Sequence, residues 1–191
     1  MGKSTRKRAA RKQEIIETAL HLAEEIPFEE ISVSDICETV GISIGGFYHY
    51  FNRKNDLLVG FFGLIDEYLV SEIFPLLSKD EPVKSLKTFA HYWAVHVYEH
   101  GIDRAKLLNT IEPVEYDPTN HPRKTRLMLV ELFQAGLDLG QIPEIFGAER
   151  MADLFLIAIR GVISDWARRN GSYSLVNTMD DFVRFYFTFS A

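Results

Sequence analysis

Apolar residues recur every three or four positions along almost the whole chain, and no stretch shows the alternation of a half-buried strand. The pattern predicts an all-α protein. A first helix is expected from Arg11 to Glu25, with Ile15, Ile16, Ala19, Leu22, Ala23 and Ile26 as its apolar stripe. Pro27 and Phe28 break it. Ser32 and Asp35 form a capping pair, and Val33, Ile36, Cys37 and Val40 give the short helix after them one apolar face. Gly41 can take the left-handed conformation that ends a helix, and Ser43 is a good N-cap for the next. Phe47 and Phe51, four apart, are expected to face the core.

A long helix is predicted from Arg53 to about Leu77, carrying Leu58, Phe61, Phe62, Ile65, Tyr68, Leu69 and Ile73. Its first turns belong with the preceding helices and its far end with the C-terminal helices, so it is expected to act as a lever. Pro75 and Pro82 bracket a break. Further helices are expected over Pro82–His100, Asp103–Ile111, Arg123–Leu139, Ala148–Arg169 and Thr178–Phe189. The proline-rich stretch from Glu112 to Pro122 reads as a loop. Residues 1–52 are thus expected to form a three-helix N-terminal domain, and residues 53–191 a C-terminal helical bundle.

The segment around Gly41 packs helix, glycine turn and helix into about 20 residues, as a helix-turn-helix requires. That motif lays its second helix in a DNA major groove. Gly45 and Gly46 near the start of the second helix each cost about 1 kcal/mol relative to Ala, and allow close approach of a neighbouring surface. Tyr48, His49 and Tyr50 can hydrogen-bond phosphates or base edges. Asn52 is expected to cap the long helix. Lys54 in its first turn opposes the helix dipole, which suggests a phosphate site.

Composition supports a globular protein: 191 residues, 47 % apolar, with one Cys and so no internal disulfide or Cys-rich zinc site. The basic start lacks the apolar core of a secretory signal and no apolar run is long enough to span a membrane, so a cytoplasmic protein is expected. The net charge of −6 is unevenly spread. Lys3, Arg6, Lys7, Arg8, Arg11 and Lys12 give the first 13 residues +6, leaving 15 bases against 27 acids, or −12, elsewhere. This basic arm, Arg8 and Arg11 included, is placed to meet phosphates, while the acidic remainder would repel DNA and favour one docking orientation.

From Ser32 to Leu57 the residues Ser32, Val33, Asp35, Ile36, Val40, Gly41, Ile42, Ser43, Gly45, Tyr48, Tyr50, Phe51, Lys54 and Leu57 resemble the DNA-binding signature of the TetR/AcrR family of bacterial transcriptional regulators. The resemblance covers roughly residues 11 to 60; the rest matches in helical rhythm only. It implies a dimeric repressor that binds double-stranded DNA at a near-palindromic operator and is released by a small, largely apolar or aromatic effector. By the same resemblance Ser34, Ile44, Gly45, Tyr48, His49 and Lys54 fall where the family touches DNA; Gly46 and the basic arm join them on their own chemistry. Cys37 stands where the family often has Ala. Ile44, unusual at such a position, can touch a thymine methyl.

The last two predicted helices are apolar on more than one face, which suggests a two-fold homodimer. Leu154, Ile159, Ile163, Trp166, Phe182, Phe185 and Phe189 are its candidate interface. The resemblance also implies an effector pocket in the C-terminal bundle, for which Phe89, Tyr92, Trp93, His96, Leu108, Asn109, Met128, Phe133 and Phe155 are candidates. The alternative is an all-helical metal-dependent enzyme or binding protein using His96 and His100, whose spacing can bind zinc. Two His leave a zinc site incomplete, and no catalytic fingerprint accompanies them, so no metal, cofactor or enzyme activity is expected. His91, near Lys84 and Lys87, is expected in solvent.

Overall fold

The computed structural model describes residues 3–108 and 124–188, all helices and connections, with no strand among them. None of these helices is long and apolar enough to cross a membrane. The first helix, α1 (Lys3–Glu25), begins well before Arg11. Ala9, Ala10 and long basic side chains are good helix formers, so the basic arm is the first turns of α1. Its core face holds Ile15, Ile16, Ala19 and Leu20, whereas Ile26 is exposed.

Next come α2 (Val33–Val40) and α3 (Ile44–Tyr48), joined by the turn at Gly41. The long helix is shorter than its pattern suggests. Its α-helical part, α4, spans Asp56–Tyr68; a π-helical turn (Leu69–Ile73) and a 3-10 turn (Phe74–Leu76) follow. Pro75 lacks the N–H that would continue the ladder, which accounts for the loosened end. At the other end Asn52 is not a side-chain cap. Asp56 instead accepts from the Asn52 and Arg53 backbone N–H groups at 2.9 and 3.4 Å.

The remaining helices are α5 (Pro82–Glu99), α6 (Ile102–Leu108), α7 (Lys124–Asp138), α8 (Ala148–Arg168) and α9 (Leu175–Thr188). The residues 109–111 expected to end α6, and the predicted 112–122 loop, lie outside the described residues. Two compact units emerge: residues 3–65 with 107–108, and residues 66–106 with 124–188. The division falls inside α4.

In the second unit, α5 buries Leu86, Phe89, Ala90, Trp93, Ala94 and Val97 against α7 and α9, and α8 packs on α7 and α9. Phe89, a pocket candidate, therefore sits on the main buried face of α5. Polar ties fix the helices. Asp66 accepts from the Thr125 hydroxyl and from its backbone N–H, closing the start of α7. Arg126 holds Asp153 by two hydrogen bonds, of 2.6 and 3.0 Å. His91 is not free in solvent: its Nδ1 lies 3.0 Å from both carboxylate oxygens of Asp180 on α9.

His96 stacks on Tyr68 with ring centroids 3.7 Å apart. Burial, with His100 and Arg104 nearby, pushes its imidazole down from the ordinary 6.5 to about 4. Folding therefore favours the neutral ring, and its stabilisation is present above pH 6.5 and lost as pH falls toward 4. Relative to His96→Gln, the wild type should lose on the order of 2 kcal/mol of folding stability between pH 7 and pH 4. Urea unfolding of both proteins across that range checks this; parallel pH profiles would contradict it.

Candidate nucleic-acid interface

Local chemistry fixes the turn between α2 and α3. Ser32 Oγ accepts from the Asp35 N–H at 3.1 Å while Asp35 Oδ2 accepts from the Ser32 N–H at 2.7 Å, a reciprocal capping box. These bonds to Ser32 hold the Asp35 carboxyl below the usual carboxylate range. Gly41 takes φ 74°, in the left-handed region, and its N–H closes on the Cys37 carbonyl at 2.9 Å. Cys37 is buried as a small apolar residue, and burial pushes its thiol up. Ser43 Oγ accepts from the Gly46 N–H at 3.0 Å and starts α3.

Phe47 is fully buried, with Phe51 beside it at 5.2 Å between ring centroids. Anchoring Phe47 turns the opposite side of α3 outward. Ile44 is 50 % and Tyr48 52 % exposed, and Gly45 and His49 are exposed beside them. Two large side chains left in solvent on a five-residue helix make a surface without an internal use. The two glycines differ. A Cβ on Gly46 would press on Ser43 Oγ at 3.3 Å and Ile42 Cβ at 3.6 Å, whereas one on Gly45 would meet only Ser43 Oγ at 3.9 Å. Internal packing explains Gly46; it does not explain Gly45. Ser34 is half-buried on α2.

Two basic side chains of α1 reach the end of α3. Arg8 approaches the His49 carbonyl at 3.5 Å, and Lys12 lies 5.4 Å from the centre of the Phe51 ring. Cations there complement a helix C-terminus. Arg11 is paired with Glu14 at 2.7 Å. The contacts of Arg8 and Lys12 cross the sequence at long range, so no local spacing announces them.

Lys54 is a correction. Expected on a DNA phosphate, it turns inward, and Nζ donates to the carbonyls of Phe28, Glu29 and Ile31 at 2.7, 3.1 and 2.9 Å. An ammonium has three donors, so all are taken. Nζ also lies 4.7 Å from the Phe28 ring centre. The dipole conflict disappears, because Lys54 precedes α4 and Asp56 occupies its first turn. An unfavourable cation at that place was the signal that it had other acceptors.

The C-terminal candidates separate by burial. Ile159, Ile163 and Trp166, expected at a dimer face, are instead buried within the chain. Trp166 Nε1 donates to the Tyr173 carbonyl at 3.0 Å. An α8 flanked by α7, α5 and α9 encloses that side inside one chain. Leu154 and Phe182 are half-buried, while Phe185 and Ile157, a residue not singled out from the sequence, are exposed. The all-round apolar run through Leu154–Ile159 carried that signal. Phe189 lies outside the described residues.

Of the pocket candidates, Phe89, Trp93, Phe133 and Phe155 are closed core, with Phe133 and Phe155 edge to face at 5.6 Å. Met128 is half-buried and Tyr92 exposed. Asn109 and the Leu108 side chain lie outside the described residues. His100 Nδ1 sits 2.8 Å from the His96 carbonyl, and among the described residues no three His, Cys, Asp or Glu converge on a metal position.

Residues 15–60 match the family model of the bacterial regulatory proteins of the tetR family. No curated protein sequence matches the chain. Several solved structures share its fold. A TetR transcription regulator from Haloarcula marismortui is 20 % identical, with a TM-score of 0.74 over 95 % of this chain and 98 % of its own. FadR from Bacillus subtilis, solved with stearoyl-CoA, is 17 % identical, with a TM-score of 0.66 over 92 % and 97 %. The transcriptional repressor FadR from Thermus thermophilus, solved with lauroyl-CoA, is 17 % identical, with a TM-score of 0.66 over 91 % and 92 %. Residues 15–60 are thus similar to the DNA-binding domain of the tetR family of bacterial regulatory proteins, and the fold of the chain is that of solved TetR-family regulators.

Proposed function

We propose that this DNA-binding regulator works in the cytoplasm as a homodimeric repressor. It holds a near-palindromic operator until a small, largely apolar effector releases it. The observation that carries this reading is the outward face of α3. Ile44, Gly45, Tyr48 and His49 stand exposed on a helix held by a capped turn and a buried Phe47. Arg8, Arg11 and Lys12 of α1 bring positive charge for phosphates to the same unit, in an otherwise acidic chain. Leu154, Ile157, Phe182 and Phe185 offer a second copy apolar area on α8 and α9, and two copies would present two reading helices to related half-sites. The acyl-CoA bound to the two FadR proteins supports an effector with a substantial apolar part. Release requires that the effector bind the DNA-free state more tightly than the bound one.

The test is selection of duplexes from a random pool by the purified full-length protein, followed by titration. Tight, strongly salt-dependent binding to a two-fold related sequence is expected; uniform weak binding to every duplex would overturn the reading.

Two variants sharpen it. Gly45→Ala should leave folding unchanged or stabilise it by up to about 1 kcal/mol, yet weaken operator binding, because within the chain the added methyl makes only an ordinary contact with Ser43 Oγ, at 3.9 Å, and otherwise faces the duplex. Unaltered affinity would contradict the close approach. Lys54→Ala should lower the thermal midpoint and weaken binding without changing the slope of log K against log salt, whereas loss of a phosphate ligand would reduce that slope by about one unit.

A further inference from the structure

The first turn of α3 has almost nothing with which to exchange hydrogen bonds with a base. Ser43 Oγ is engaged by the Gly46 N–H. Gly45 and Gly46 have no side chains. The group that projects there is Ile44, half exposed, while Phe47 three residues later is fully buried. Ile44 is uncharged, and its β-branched side chain keeps one strongly preferred rotamer in a helix. It therefore offers a fixed apolar knob that loses little freedom on contact.

The edges of the four base pairs in a major groove are donors and acceptors, with one apolar exception, the 5-methyl group of thymine. Resting on the DNA-binding function proposed for α3, we propose that Ile44 is a specificity-determining residue that packs on a thymine methyl in each operator half-site. Gly45, where a Cβ would meet only Ser43 Oγ, at 3.9 Å, lets the first turn of α3 come close enough for that contact. Discrimination then has two parts. The methyl is buried against Ile44, and a cytosine amino group or a guanine carbonyl at the same step would be desolvated with no partner.

The test uses the full-length protein and a duplex taken from the selection. Failure of that selection would overturn the DNA-binding reading, and this proposal with it, before any base is altered. On a selected duplex, each thymine is replaced singly by deoxyuridine, which removes the methyl and keeps the pairing. At one thymine per half-site the wild type should lose about four-fold in affinity, the factor for one buried methyl. Ile44→Ala, measured at low salt where phosphate contacts keep it bound, should be insensitive to the same replacement. Ile44→Val, which keeps the β-branch, should retain the penalty. A wild type indifferent to every replacement would overturn the proposal, as would an Ile44→Ala protein as sensitive as the wild type at every position.

Discussion

A helix of five residues, two of them glycine, has no stability of its own, because nucleation costs more than so few hydrogen bonds return. The helix α3 exists because Phe47 is anchored in the core of its unit and Ser43 caps its start. That anchor also sets the rotation of the helix. With Phe47 inward, Ile44 and Tyr48 must face out. The stability of α3 and the outward pose of Ile44 and Tyr48 are therefore two consequences of one buried ring.

Charge is divided in the same way. Lys54 has its ammonium enclosed by three backbone carbonyls of the segment between α1 and α2, where it closes a turn. The positive field available to a polyanion comes from the first turns of α1, two of whose cations lie against the end of α3. A basic residue within a DNA-binding motif can thus serve the fold, while under the proposed function residues outside the motif meet the ligand. Position in a signature does not by itself reveal which.

Much of this was legible in the sequence because the relevant physics is local. Ser32 with Asp35, Gly41 and Ser43 act over three or four residues, and the capping box, left-handed turn and N-cap stand where their spacing placed them. Helix periodicity likewise located α5, α7 and α8 closely. What escaped was non-local. The inward pose of Lys54 depends on carbonyls more than 20 residues away. The enclosure of Ile159, Ile163 and Trp166 depends on helices that periodicity cannot arrange in space, so an apolar α8 looked like an interface on every side. The pairing of His91 with Asp180 spans 89 positions. The burial of Phe89, Trp93, Phe133 and Phe155 escaped for a related reason, since the sequence cannot tell an aromatic residue that lines a cavity from one that fills the core.

Under the proposed function the outward side of α3 lies in a major groove, once per subunit of a two-fold assembly. Hydroxyl-radical footprinting of a selected duplex with the intact protein tests it most directly. Two protected patches related by two-fold symmetry are expected, centred about one helical turn, roughly 34 Å, or a multiple of it apart. A cleavage pattern identical to that of free DNA at saturating protein, or a single patch without symmetry, would contradict it.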